Sequence, residues 1–385
     1  MANEQATSLT PVLFVDHAQK MGGAEHSLHL LMTHLDPTQW QPHLACPSGD
    51  LADLAKQAGI PWHSVNLPRL RRSLQAGLDW YQTGRALANV AHQIGARVIV
   101  TNTVRATFFG ALAGKLSKRP FLWHMRDFWL SETQPRYEQV DTLLKKMLCR
   151  RATLVMANSQ ATASHLPCPQ VQVIHNGLSL QQFDPNLDGV AFRQAHNIPL
   201  DVPLVGIVGR LRPWKGQHRF IEMATAVSRT HPNTHFVIVG GNIFDQDNGY
   251  ANSLQDLVNH CGLVGKIHFT GQIQTVAHAL AALDIFVHSG DPEPFGMVNI
   301  EAMAMAKPVV AFAHGALPEI VLHGKTGILA PPVQVEAMAT AVSQLLHTPE
   351  QAKKMGQAGR ERVIAQFTIQ KTAANFSEAL LKVLK

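Results

Sequence analysis

Charge, cysteine and aromatic side chains are all scarce in this sequence. Of 385 residues, 16% are Asp, Glu, Lys or Arg and 6% are aromatic, and there are four cysteines. No long block of like charge and no low-complexity tract occurs, which excludes a disordered chain, a collagen-like repeat and a coiled coil. No apolar run approaches the roughly 20 residues that a membrane helix needs. The cysteines, at 46, 149, 168 and 261, never fall at C-x-x-C spacing. Neither a disulfide framework nor a zinc knuckle is therefore expected. The 21 histidines are scattered, with no H-E-x-x-H, so no metal is expected. Met1 to Thr10 holds no Lys or Arg and no apolar core. It does not read as a secretory leader, and the cytosol is the expected compartment.

What is present is an ordinary globular composition, 46% hydrophobic with 27 Gly and 22 Pro. At about 150 residues per domain the length suggests two or three domains. The net charge of +6 is uneven: residues 1–187 carry 17 Lys and Arg against 12 Asp and Glu, whereas the remainder is nearly balanced. The basic excess lies in Arg69, Arg71 and Arg72, in Lys115, Lys118 and Arg119, and in Lys145, Lys146, Arg150 and Arg151. Such a half suits either an anionic partner or a merely solvated face.

Short β-rich runs alternate with amphipathic stretches, which predicts βαβ units and parallel sheets. The turn-rich segment His175–Pro185 interrupts the alternation and reads as a linker. Two α/β domains are expected, 1–180 and 181–365, with a final helix over 366–385 that either caps the second or crosses back to the first. Open α/β sheets bind ligands at the C-terminal ends of their strands, so two facing domains would form a cleft.

Four segments carry chemistry. In the first, the strand Ile285–His288 runs through a polar turn into Pro294-Phe295-Gly296 and a helix. Free N–H groups at that helix start are a seat for a phosphate, and Gly296 admits a ligand close to the backbone. Glu293 and Glu301 flank it, two acceptor carboxylates suited to a polyhydroxylated, phosphorylated ligand. In the second, Arg210 and Lys215 project from the loop after the strand Leu204–Val208. Two cations there suit a diphosphate. In the third, Gly22-Gly23 turns the first strand into a helix and can present backbone N–H groups to a ligand. No G-x-G-x-x-G follows a strand. In the fourth, His124 ends a strand in Trp123-His124-Met125-Arg126-Asp127 and is placed to exchange a proton or hydrogen bond.

Together these residues resemble glycosyltransferase family 4, the retaining nucleotide-sugar transferases of GT-B fold. The likeness covers nearly the whole chain, from Gly22-Gly23-Ala24-Glu25 through Asn176-Gly177 and Gly209-Arg210-Leu211 to Glu293-x7-Glu301 with its internal Pro294-Phe295-Gly296. It implies an α/β chain of two Rossmann-like domains, with parallel sheets facing across a cleft: an acceptor-binding domain first, a donor-binding domain second. It implies transfer of a hexose-type sugar from a UDP- or GDP-sugar to a glycan, lipid-linked or small-molecule acceptor, without a cofactor or a metal. Arg210 and Lys215 would neutralise the diphosphate, and Phe295, Gly296, Met297 and Val298 would offer backbone contacts. Glu293 would hold the sugar's hydroxyls and Glu301 those of the ribose. Gly22 and Gly23 would lie against the diphosphate, and His124 would contact the transferred sugar. Ser179 departs from the Asp that often follows Asn-Gly in the family.

Two other functions remain open at this level: a GT-B-like nucleotide-sugar epimerase and a non-catalytic nucleotide-sugar-binding protein. The acceptor or membrane side is expected at Arg69, Arg71, Arg72, Lys145 and Lys146. The stretch Tyr137–Arg151 is expected to be helical, with Val140, Leu143, Leu144, Met147 and Leu148 on its apolar side. That is either a basic amphipathic helix for an anionic membrane at the cytosolic face or a core helix with a basic end. No nucleic-acid partner is expected.

Overall fold

A computed structural model describes residues 9–70, 74–128, 138–241 and 248–385. Arg71, Arg72 and Tyr137 lie outside the described residues. The chain divides into two compact units, Met1–Gly177 with Ile369–Lys385, and Leu178–Thr368.

In the first unit the strands are β1 (Thr10–Val15), β2 (Trp40–Cys46), β3 (Trp62–Ser64), β4 (Val98–Thr101), β5 (Phe121–Met125), β6 (Leu154–Ala157) and β7 (Gln172–Val173). They form one parallel sheet in the order β3-β2-β1-β4-β5-β6-β7. The inner strands are near-continuous apolar runs because helices cover both faces. On one face Val12, Phe14, Leu44 and Val98 pack with Leu28, Leu31 and Leu51 of the helices Gly23–His34 and Asp50–Gln57. On the other, Leu13, Val15 and Ile99 pack with Leu87 and Phe109 of the helices Leu74–Gln93 and Val104–Ser117.

The final helix, Ile369–Leu384, belongs to this first unit. Its buried stripe is Ala373, Phe376, Ala379 and Leu380. The Phe376 ring stacks 5.9 Å from that of Phe14. Trp40 Nε1 donates to Ser377 Oγ at 3.0 Å.

The second unit contains β8 (Leu204–Val208), β9 (His235–Val239), β10 (Ile267–Phe269), β11 (Ile285–His288), β12 (Val309–Phe312) and β13 (Gly327–Ala330), in the order β10-β9-β8-β11-β12-β13. All pairings are parallel. In each sheet the winding reverses at a switch point, between β1 and β4 and between β8 and β11. Loops leaving those strands diverge and open a crevice at their C-terminal ends.

One expectation is corrected. Cys149 and Cys168, 19 residues apart, form a disulfide that ties the helix Glu138–Arg151 to the chain before β7. Sequence spacing does not encode such a pairing; the fold does, by bringing the Cα atoms to 5.2 Å. A closed loop of this size stabilises by about 3 kcal/mol. Denaturant titration of Cys149→Ser should therefore show a loss of about that size, matched by adding reductant to the wild type. An unchanged midpoint in both would mean that the bond constrains nothing.

Exposure divides the apolar side expected of that same helix. Leu148 is buried, but Val140, Leu143 and Met147 are 46%, 67% and 43% exposed, so it is not simply a core helix. No helix among the described residues is long and apolar enough to cross a membrane.

Candidate active site

The switch point of the second sheet positions a charged cluster. From β8 the chain passes Arg210 and a single 3₁₀ turn, Pro213–Lys215, then Gly216 at φ +73° opens the helix Gln217–Thr230. A Cβ on Gly216 would stand 2.1 Å from the Ser289 carbonyl oxygen, so only glycine lets the two loops meet. They are joined by Ser289 Oγ donating to Gly216 O at 2.8 Å and Asp291 N–H donating to Trp214 O at 2.7 Å. Arg219 closes the seam on Asp291 at 2.8 Å. Gln217 Nε2 holds the Arg210 carbonyl at 2.9 Å.

This stitching brings Lys215 to Glu293, 78 residues away: the Nζ donates directly to Oε1. His288, at the end of β11, approaches the same oxygen at 3.4 Å. Burial alone would raise the Glu293 carboxyl, but Lys215 and His288 outweigh it and hold the group at about 2. The Lys215 ammonium also lies 4.4 Å from the Trp214 ring centroid. Gly315, at φ +55°, passes so close that a Cβ would lie 2.6 Å from the Glu293 backbone N and O. Ala316 N–H donates to Glu293 O at 3.0 Å.

Gly296 follows at φ +84° and caps the helix Met297–Ala304. Asn299, fully buried, donates from Nδ2 to Gly296 O at 3.0 Å and locks the turn. The N–H groups of Met297 and Val298 fall in the first helical turn, where no intrahelical acceptor exists. Phe295 turns its side chain into the core against Phe367, so only its backbone faces this crevice. Glu301 lies in the helix's second turn. Its carboxylate has no hydrogen-bond or ion-pair partner among the described residues, and burial pushes it up to about 7. A diphosphate with hydroxyls beyond it fits this set: one lysine, backbone donors at a helix start, and two carboxylates, one ionised and one titrating near neutrality.

The first unit has its own cluster at the β1/β4 switch point. Gly22 caps the helix Gly23–His34, but Glu25 reaches back and accepts the Gly22 N–H at 2.9 Å, so that donor is already in use. No atom lies within 4 Å of a Cβ built on Gly23, which leaves room above its backbone. Asp16, buried after β1, accepts from Asn102 Nδ2 at 2.7 Å, across the sheet's switch point.

At the end of β5, His124 is 1% exposed. Its Nδ1 lies 3.3 Å from an Arg126 Nη, and a guanidinium only donates, so Nδ1 accepts and the ring proton sits on Nε2. Burial, and then the Arg126 charge, hold the imidazole well below its ordinary value, so it is neutral. Its Nε2 is buried with no protein partner among the described residues. Arg126 also donates to Asn176 Oδ1. From sequence, Arg126, Asp16, Asn102, His288 and Asn299 carry no role, and Asn176 enters only through the Asn176-Gly177 linker. The first four lie at or just past a strand end, a position many residues share, and Asn299 lies inside a helix.

The basic residues separate. Arg69 and Lys146 are exposed, but Lys145 is largely buried and paired with Asp141 at 2.9 Å. Among the described residues no group of three or more His, Cys, Asp or Glu is placed to hold a metal.

Comparison with known proteins identifies the family. Residues 190–362 match the family described as glycosyl transferases group 1, and residues 22–177 match a glycosyl transferase 4-like domain. The lipopolysaccharide core biosynthesis mannosyltransferase LpsB of Rhizobium meliloti is 29% identical over 65% of this chain and 70% of its own length. A GDP-mannose-dependent phosphatidylinositol monomannoside mannosyltransferase of Mycobacterium tuberculosis is 32% identical over 56% of each chain. Anabaena Alr3699/HepE, solved in complex with UDP, superposes with a TM-score of 0.85 at 25% identity, over 97% of this chain and 100% of that one.

Proposed function

Since this chain belongs to the group 1 glycosyltransferases, we propose that it is a retaining, metal-independent hexosyltransferase acting on a nucleoside-diphosphate sugar and a glycan or lipid-linked acceptor at the cytosolic face of a membrane. The observation that carries this is the Lys215–Glu293 pair beside the Gly296 helix start. A cation, an anion and free backbone donors meet there at a strand-end crevice.

Departure of a nucleoside diphosphate leaves positive charge on the anomeric carbon and negative charge on the leaving phosphate. Lys215, Arg210 and the helix-start N–H groups are preorganised for the second charge. Glu293, ionised throughout the physiological range, accepts the sugar's hydroxyls and faces the first. For retention, the acceptor hydroxyl attacks the face from which the diphosphate departs. The C–O bond to phosphate breaks as the new glycosidic C–O bond forms, and the departing phosphate oxygen takes the acceptor's proton. In the first unit, neutral His124 keeps a proton on Nε2 that can be donated to a bound ligand. Of the basic residues expected on the acceptor side, Arg69 and Lys146 are exposed, whereas Lys145 is held by Asp141.

The Mycobacterium relative is named for GDP-mannose and a phosphatidylinositol mannoside and the Rhizobium one for mannosyl transfer in lipopolysaccharide core biosynthesis, whereas the Anabaena structure holds UDP. Both UDP- and GDP-hexoses therefore belong in the assay, with lipid extract as acceptor. Sugar transfer with the donor's anomeric configuration, unaffected by EDTA, is the expected result. Conversion of donor without an acceptor would instead indicate an epimerase, and binding without turnover a non-catalytic protein.

The Glu301 carboxyl adds a pH signature. Held at about 7, it is protonated below neutrality and ionised above it. Accepting two ribose hydroxyls requires the ionised form. Nucleoside-diphosphate affinity measured by calorimetry should thus rise as pH increases through 7. Glu301→Gln should bind more weakly and lose that rise; an unchanged profile would remove Glu301 from the ribose.

A further inference from the structure

The two oxygens of the Glu293 carboxylate are held unequally. Oε1 receives both the Lys215 ammonium and His288 Nε2. Oε2 receives no protein donor among the described residues, and the side chain is 11% exposed. The last torsion of a glutamate is broad and two-fold, so rotation readily exchanges its oxygens. Donors from two different elements on one oxygen oppose that exchange and fix which oxygen turns outward. Lys215 is a poor anchor by itself. Its ammonium is a point charge on a flexible stem, and the donor diphosphate competes for it.

His288 is the steadier of the two. It ends β11, whose residues are all buried and which pairs with β8 on one side and β12 on the other. A Cβ on Gly290 would lie 3.2 Å from the ring's Cε1, so the chain folds back closely over the imidazole. Ionised Glu293 can only accept, so the shared proton sits on Nε2. Nδ1 is buried with no partner among the described residues, which leaves the contact with Glu293 as the ring's one hydrogen bond there. At 3.4 Å that bond is long, as hydrogen bonds in active sites often are before a ligand tightens them. We infer that His288 is a positioning residue: it anchors Glu293 Oε1, so that Oε2 is presented to a hydroxyl of the donor sugar and stays there when Lys215 turns to the diphosphate. This rests on the transferase reading above and adds to it a residue that acts only through Glu293.

Steady-state kinetics of three variants, with the UDP- or GDP-hexose that supports transfer, test it. Glutamine carries its amide nitrogen near the place of the imidazole Nε2, asparagine near that of Nδ1, and leucine carries no donor. His288→Leu and His288→Asn should each lower kcat about tenfold, the effect of losing one hydrogen bond to a charged group. Affinity for UDP or GDP, read by calorimetry, should not change, because the donors to the diphosphate are untouched. His288→Gln should recover most of the lost kcat. In a Glu293→Gln background, His288→Leu should cost nothing further, because the ring has no other route to the chemistry. Should His288→Leu not fold, the Asn and Gln variants keep the comparison. The inference is overturned by an unimpaired His288→Leu, by a His288→Gln as slow as His288→Asn, or by a further loss in the Glu293→Gln background. Normal turnover in Glu293→Gln would overturn the transferase reading of this site together with it. A slow Glu293→Gln beside a fast His288→Leu would remove His288 alone.

Discussion

Glu293→Gln should lower turnover about a hundredfold while leaving the protein folded, the usual effect of deleting one preorganised electrostatic group. Glutamine fills the same space and still accepts one hydrogen bond. What it removes is the negative charge opposite the anomeric carbon and the partner that positions Lys215. Lys215→Ala should cost at least tenfold by the complementary route. The diphosphate loses its nearest cation, and Glu293, buried and no longer held down by Lys215, is driven towards its protonated form. Each single variant destroys the same pair, so the double variant should lose far less than the product of the two. Steady-state kinetics on purified variants, with circular dichroism to confirm folding, reads this directly. Near-normal turnover in either folded variant would remove the pair from the chemistry.

The donor-side residues were legible because they lie in one stretch with an unusual local pattern. Strand, polar turn, Pro294-Phe295-Gly296 and helix can be read from spacing alone, since glycine at a helix start and a carboxylate on either side restrict what the backbone can do. Lys215 was legible as a strand-end cation. Its pairing with Glu293 was not, because that depends on β8 lying beside β11, a fact of topology that no local window contains. Phe295 was legible only by position: its ring is core. The Cys149–Cys168 bond escaped for the same reason as the ion pair, since distance in sequence hides closeness in space. The sheets themselves were readable, because buried parallel strands are continuous apolar runs. Sequence also misplaced Lys145, because an Asp four residues before a lysine reads equally well as a solvated pair and as the buried one found.

Arg126 is the least legible of the central residues, and its loss should have the largest effect on stability. It looked like one more arginine after a strand. In the fold it is buried, donates to Asn176 and His124, and counterbalances the carboxyls of Asp16 and Glu25. Burial lowers its guanidinium to about 10, and those two carboxyls oppose the fall, so it stays charged near neutrality. Glu25, raised to about 7 by burial and by Asp16, shows how little further negative charge this region accepts. Arg126→Met should therefore destabilise the protein by about 3–5 kcal/mol, the cost of leaving a buried carboxylate without its cation. It also frees His124 Nδ1, so the imidazole no longer has a fixed tautomer and Nε2 loses its constant proton. Adding Asp16→Asn should recover part of the stability, because the orphaned charge is then gone. It should not recover turnover, because the tautomer stays unfixed. Denaturant unfolding of the two variants together with their turnover checks both halves. Recovery of turnover with stability would show that Arg126 serves only the fold; equal instability in single and double variants would show that Asp16 is not its counter-charge.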